Sequence, residues 1–256
     1  MAFQDAYRQQ VALLIRTIPF VAQEQCFALK GGTAINLFVR DLPRLSVDID
    51  LTYLPVEDRA SSLTAIDAAM ARIKERIEGG IPGAVVAPSR SAGDNIITKP
   101  IVRSEGVQIK IEVTPVLRGT VFDPEVMSVV PAVEDTFGFA EMQVVSFADL
   151  YAGKIVAALD RQHPRDLFDV RDLLANEGIS DELLEGVNLP FSQVSDVPST
   201  IASCAGDAQI RVDSLLCRCL LKRASAATER PGKPQNVLEK PAHYVGSIVG
   251  TASAIF

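Results

Sequence analysis

The segment from Val47 to Leu54 constrains this chain more than any other stretch. It alternates strictly, with Asp48, Asp50 and Thr52 on one face and Ile49, Leu51 and Tyr53 on the other. That period predicts a strand, ended by Pro55, whose apolar face enters a core while its polar face presents two aspartates. Residues two apart on a strand sit ~6.6–6.8 Å apart. Asp is depleted in strands, and like charges on one face repel. A divalent cation held between the two is the simplest offset, because Mg²⁺ takes one or two protein carboxylates together with substrate phosphates. An isolated D-x-D reads better as the solvated face of an edge strand, so its surroundings have to decide.

Two neighbours favour the cation. Glu112 lies in a second alternating segment, where Val107, Ile109, Ile111 and Val113 oppose Gln108, Lys110, Glu112 and Thr114, and Pro115 is expected to end the strand. Three carboxylates on adjacent strands can hold two metals ~3.5–4 Å apart, the arrangement used for in-line phosphoryl displacement. The apolar run Cys26 to Lys30, a short strand, stops at Gly31-Gly32-Thr33, and a short helix to Val39 follows. A strand entering a glycine turn at a helix start leaves backbone N–H groups free for an anion, and the Thr33 hydroxyl is a further candidate donor.

The remaining elements suggest an α+β chain: helices over 3–18 and 58–77, strands near 94–103 and 107–114, then helices over 146–159, 164–174 and near 181–184. Three regions are expected: a catalytic core over 1–145, a helical part over 146–190, and a tail over 191–256. The tail is rich in Ser, Ala, Cys and Pro and carries a basic run at 221–223. Helical periodicity is sustained there only over 208–223. It is expected to be divergent, partly disordered, or the product of a frame change.

Bulk composition removes several alternatives. No apolar run reaches the length of a membrane span and no secretory signal opens the chain, so the expected compartment is the cytoplasm, with no membrane partner. Four cysteines without a CxxC pair and two distant histidines do not make a zinc site. A net charge of −7 argues against non-specific coating of nucleic acid, although a local basic groove remains compatible. Such a groove would gather some of Arg40, Arg44, Arg103, Lys110, Arg161, Arg165 and Arg171.

The segment K-G-G-T-A-I-N-L-F, followed by R-L-S-V-D-I-D-L-T-Y, resembles motif I of the DNA-polymerase-β-like nucleotidyltransferase superfamily. It looks most like the branch of AbiEii-type abortive-infection toxins, and I-K-I-E-V resembles the strand that supplies the third carboxylate. The resemblance implies a polymerase-β-like mixed sheet with flanking helices, followed by a helical half. It also implies NTP binding at Gly31, Gly32 and Thr33, and Mg²⁺ at Asp48, Asp50 and Glu112 in a two-metal site. Ser46, just before the D-x-D, is often polar in this branch and is equally readable as a loop residue.

Lys154 is the informative residue outside motif I. On its helix Phe147, Leu150, Tyr151, Ile155 and Ala158 form an apolar stripe, and Lys154 falls inside it. Either its stem snorkels at the stripe's edge, or it is buried and paired. The stretch D-L-Y-A-G-K-I-V-A-A-L-D-R-Q-H-P-R-D-L-F-D-V-R-D resembles the lysine and R-D-x-x-D motifs of the AbiEii type. By that likeness Lys154 contacts the triphosphate and acts in catalysis with Asp169. Asp166 would share the nucleotide or orient Lys154, although an Arg165–Asp169 ion pair on one helix is a plain alternative.

The expected reaction is nucleotidyl transfer from an NTP to a hydroxyl. The resemblance alone points to the 3′ end of tRNA, or another RNA, as acceptor, and to a toxin countered by a cognate antitoxin protein. Modification of a protein side chain, and a non-catalytic NTP- or protein-binding module, are the competing readings.

Overall fold

The computed structural model describes residues 2–90, 96–161 and 163–192. The expectations for the tail, including the helix over 208–223 and the basic run, fall almost wholly outside the described residues, as do Cys204, Cys217, Cys219 and His243. The chain divides into two compact units, the first ending at Leu150 and the second beginning at Tyr151.

The first unit opens with α1 (Ala2–Val21), whose inward residues Val11, Leu14, Ile15 and Ile18 are fully buried or nearly so. Strands β1 (Phe27–Lys30) and β2 (Asp48–Tyr53) follow, joined by the short α2 (Gly31–Ala34) and a π-helical turn, Ile35–Val39. The long α3 (Arg59–Gly80) starts at Asp58, whose side chain accepts from Ser61 N as an N-cap. Then come β3 (Val85–Ala87), β4 (Ile101–Ser104), β5 (Val107–Arg118), β6 (Glu125–Ser128), α4 (Pro131–Phe137) and β7 (Glu141–Val144). Sequence periodicity did not reveal β3, β6, β7 or α4. The three strands have three or four residues each, and β6 is exposed along most of its length, so alternation has no room to register.

The strands form one mixed sheet in the order β3-β4-β5-β2-β1-β7-β6. β2 is central, antiparallel to β1 and parallel to β5. Its residues Ile49 and Leu51 are completely buried, as the alternation requires, and Phe27 meets Tyr53 edge-on at 5.9 Å between ring centroids. α1 packs across β5 and β7 and touches α3 and α4. β5 does not stop at Pro115. The ladder with β2 is in register to Val113 and resumes at Arg118, so the proline sits in an irregularity where no ladder donor is needed.

α5 (Phe147–Arg161) carries the chain from the first unit into the second. Its start is a reciprocal cap: Ser146 Oγ accepts from Asp149 N at 3.0 Å and donates to Asp149 Oδ2 at 2.9 Å. The second unit continues through α6 (Pro164–Asn176) and α7 (Asp181–Ser192), with Tyr151, Ile155, Val170, Leu173 and Leu183 buried. Among the described residues no helix is long and apolar enough to cross a membrane.

Candidate active site

The register of the central strands sets the site. Asp50 on β2 lies beside Glu112 on β5 and Lys30 on β1, a row of three charged residues across three strands. Asp48 lies beside Lys110 in the next row of the same face. Glu112 is therefore on the same side of the sheet as both aspartates. Two parallel strands in register place such neighbours about 4.8 Å apart at the backbone.

The glycine turn closes one side. Gly31 has φ +75°, a left-handed conformation suited to glycine, and a Cβ there would stand 2.7 Å from Asp50 Oδ2. Gly32 underlies the Arg44 guanidinium and Ser46, since a Cβ would meet Arg44 Nη2 at 2.5 Å and Ser46 Oγ at 2.7 Å. The Arg44 carbonyl accepts from Asn36 Nδ2 at 2.9 Å and from Tyr7 Oη at 3.3 Å, so the loop entering β2 is pinned at that point. Ser46 is buried and its hydroxyl pairs with that of Thr33 at 3.2 Å.

Thr33 differs from expectation. Its hydroxyl is fully buried and donates to the Asp48 carbonyl at 2.6 Å, so it faces inward and is not offered to an anion. It ties the glycine turn to the first residue of the D-x-D. A hydroxyl has one proton to donate, and here a backbone carbonyl takes it.

Three lysines complete the site, and of these only Lys110 was singled out from the sequence, for a different role. Lys110 Nζ lies 3.0 Å from Glu112 Oε2 and 3.6 Å from Asp48 Oδ2, while Lys99 Nζ lies 2.6 Å from Glu112 Oε1. Lys110, one of the seven residues from which a basic groove could draw, has its ammonium among carboxylates. Lys30 and Lys99 fall beside acids only through strand pairing and loop closure, and no sequence periodicity signals that.

The charges perturb one another in a consistent way. Burial, reinforced by Asp48 and Glu112, pushes Asp50 up to about 6, against the pull of Lys30 and Lys110. Burial also works to raise Glu112, but hydrogen bonds from Lys99 and Lys110 outweigh it and hold the group below its ordinary value. Lys30 is shifted down by burial, with Asp50 and Glu112 opposing. Lys110 moves up because its carboxylate partners outweigh its own burial.

An all-oxygen donor set on adjacent strands suits a hard divalent cation. The residues fit Mg²⁺ in kind. Among the described residues, however, no three Asp, Glu, His or Cys side chains stand together at ligand spacing. The Glu112 carboxylate is instead held at both oxygens by ammonium groups.

In the second unit Lys154 is buried and paired. Its Nζ lies 2.9 Å from Asp166 Oδ1 and 3.2 Å from Asp169 Oδ2, and both aspartates are 1% exposed. Arg161 adds a second cation to Asp166, Nε to Oδ2 at 2.7 Å. Burial would raise Asp166, but the hydrogen bonds of Arg161 and Lys154 hold it below the usual carboxylate value. Of the two readings of Lys154, the snorkelling one is set aside. Asp169 takes Lys154, in place of the pairing with Arg165 that helix spacing allowed. Arg161 faces Asp166 and Arg171 lies over the Phe168 ring at 4.7 Å, so both candidate groove residues have local partners.

A family model described as nucleotidyl transferase AbiEii toxin, type IV toxin–antitoxin system, matches residues 12–227. The match takes in the glycine turn, the D-x-D strand, Glu112 and the Lys154–Asp166–Asp169 cluster, and it extends past the motifs quoted above on both sides. Among solved structures the chain is similar to MenT4, a nucleotidyltransferase toxin from Mycobacterium tuberculosis H37Rv. The identity is 18% and the TM-score 0.46, over 91% of this chain and 68% of that one. No curated protein matches the chain.

Proposed function

The chain belongs to the AbiEii family of nucleotidyl transferase toxins of type IV toxin–antitoxin systems, and from that premise we propose how this nucleotidyltransferase works. It moves a nucleotide from an NTP to a hydroxyl acceptor, the 3′ end of tRNA, in the cytoplasm, and its action is countered by a cognate antitoxin. The acceptor hydroxyl attacks the α-phosphorus and pyrophosphate leaves. Asp48, Asp50 and Glu112 would hold Mg²⁺, which when bound lowers the charge repulsion between the incoming hydroxyl, the phosphates and the leaving group. The backbone N–H groups at Gly31 and Gly32 receive phosphate oxygens. Thr33 acts through the Asp48 backbone, and Lys154, by its likeness to the family's lysine motif, supplies a point charge to phosphate oxygens with Asp166 and Asp169 fixing its position.

One observation supports this reading above the others: Asp50 and Glu112 are register neighbours on parallel strands, with Gly31 against the Asp50 carboxylate. Like charges are set side by side there, an arrangement that helps the fold least and cation chemistry most. The acceptor rests on family likeness. The test is incubation with Mg²⁺ and each labelled NTP, with total tRNA or candidate proteins, against Asp48→Ala. Label on RNA that disappears in the variant is the expected result. Label on protein would replace the acceptor and keep the chemistry, whereas transfer that persists in Asp48→Ala would remove the carboxylate assignment.

A further inference from the structure

We propose that Lys110 is a built-in counter-ion of the carboxylate site: its ammonium bridges Asp48 and Glu112 when no divalent cation is bound, and it is displaced when one binds. The inference rests on the cation-dependent reading above. Lys110 precedes Glu112 by two residues on β5, so both side chains leave the same face of that strand, and Lys110 is the register neighbour of Asp48. Its Nζ, 3.0 Å from Glu112 and 3.6 Å from Asp48, spans carboxylates belonging to two different strands. That is the place a cation shared by the two strands would have to take.

The other lysines cannot do the same. Lys99 holds one oxygen of Glu112. Lys30 is aligned with Asp50 from the opposite strand neighbour, and its field acts on Asp50 and Glu112. Lys110 also has freedom to move, because its side chain is 37% exposed and its four-carbon stem can swing outward without disturbing the ladder. A divalent ion binds oxygen at ~2.0–2.1 Å with twice the charge, and so outcompetes a single ammonium. The displaced ammonium stays on the site's face beside Asp48, where the phosphate oxygens of an incoming NTP become its new partner. Lys110 thus exchanges one anion for another, and the carboxylates are never left without a cation.

This makes Lys110 a positioning residue whose removal should move two affinities in opposite directions. Mn²⁺ serves as the probe, its free concentration read by electron paramagnetic resonance and its binding checked by the Mn²⁺-induced rise in Tm, on the full chain. In Lys110→Met the Mn²⁺ Kd should fall by roughly tenfold, since a like charge leaves the site. The NTP Kd at saturating Mn²⁺ should rise. Lys110→Gln, which keeps a donor without the charge, should follow the same trend and serves if the methionine variant folds poorly. Lys99→Met should gain less. An Mn²⁺ Kd unchanged or weakened by loss of Lys110, in a wild-type protein that binds Mn²⁺, would overturn the proposal and leave the cation site standing. An equal gain in Lys99→Met would also overturn it, because a general field and not occupancy would then be responsible. If neither wild type nor variants bind Mn²⁺, the cation-dependent reading itself falls, and this inference with it.

Discussion

Asp50→Asn should stabilise the protein while disabling it, and the gain should depend on pH. Asp50 sits at about 6 against an ordinary 3.8, so the native state binds its proton more tightly than the unfolded chain. The sign follows from linkage: the native state is favoured by this group at low pH, and that advantage is lost as pH rises from about 4 through about 6. Two pKa units correspond to about 3 kcal/mol, so above pH 7 the ionised carboxylate costs the apo fold up to about that much. Asparagine keeps the shape and omits the charge. In EDTA at pH 8 the variant should gain up to about 3 kcal/mol, or roughly 6–12 °C in Tm for a chain of this size. At pH 4, where wild-type Asp50 is protonated in the native state, the gap should close. Added Mg²⁺ should raise the wild-type Tm and narrow the difference at pH 8, while nucleotide transfer by the variant stays lost. Urea or thermal unfolding followed by circular dichroism at the two pH values decides the matter. A variant less stable than wild type at pH 8 without cation, or a gap that ignores pH, would show that Asp50 is not held against its own ionisation.

Three further substitutions probe other parts. Lys154→Met removes the ammonium that Asp166 and Asp169, both 1% exposed, share, and breaking a buried pair of this kind costs up to ~3–5 kcal/mol, the lower end applying here because Arg161 stays on Asp166; a Tm within error of wild type would remove the buried-pair account. Thr33→Val deletes the bond to the Asp48 carbonyl and should cost about 1 kcal/mol, lowering turnover with NTP affinity unchanged. A selective loss of NTP affinity in steady-state kinetics would restore the hydroxyl as a phosphate donor. Gly31→Ala forces a left-handed residue and pushes a methyl toward Asp50 Oδ2, so it should cost ~1–2 kcal/mol and weaken Mn²⁺ binding; unchanged values of both in a thermal-shift titration would rule this out.

What could be read from the chain alone was whatever repeats along one element. Asp48 and Asp50 declare their shared face by a spacing of two, and Glu112 declares its own face in the same way, because a strand's side chains alternate whatever the strand is paired with. Lys154 stood out because a charge inside an apolar helical stripe needs a partner, and Asp166 and Asp169 supply it. The tertiary structure decided everything that depends on which strands are neighbours. Pairing of β2 with β5 in that register brings Glu112 beside Asp50 and Lys110 beside Asp48, and loop closure brings Lys99 to Glu112. It also turns the Thr33 hydroxyl inward to Asp48 and carries β5 past Pro115 through a local irregularity. Periodicity is a property of one segment, whereas register is set by the burial of many apolar side chains on several strands at once, and a slip of one residue would reverse every face.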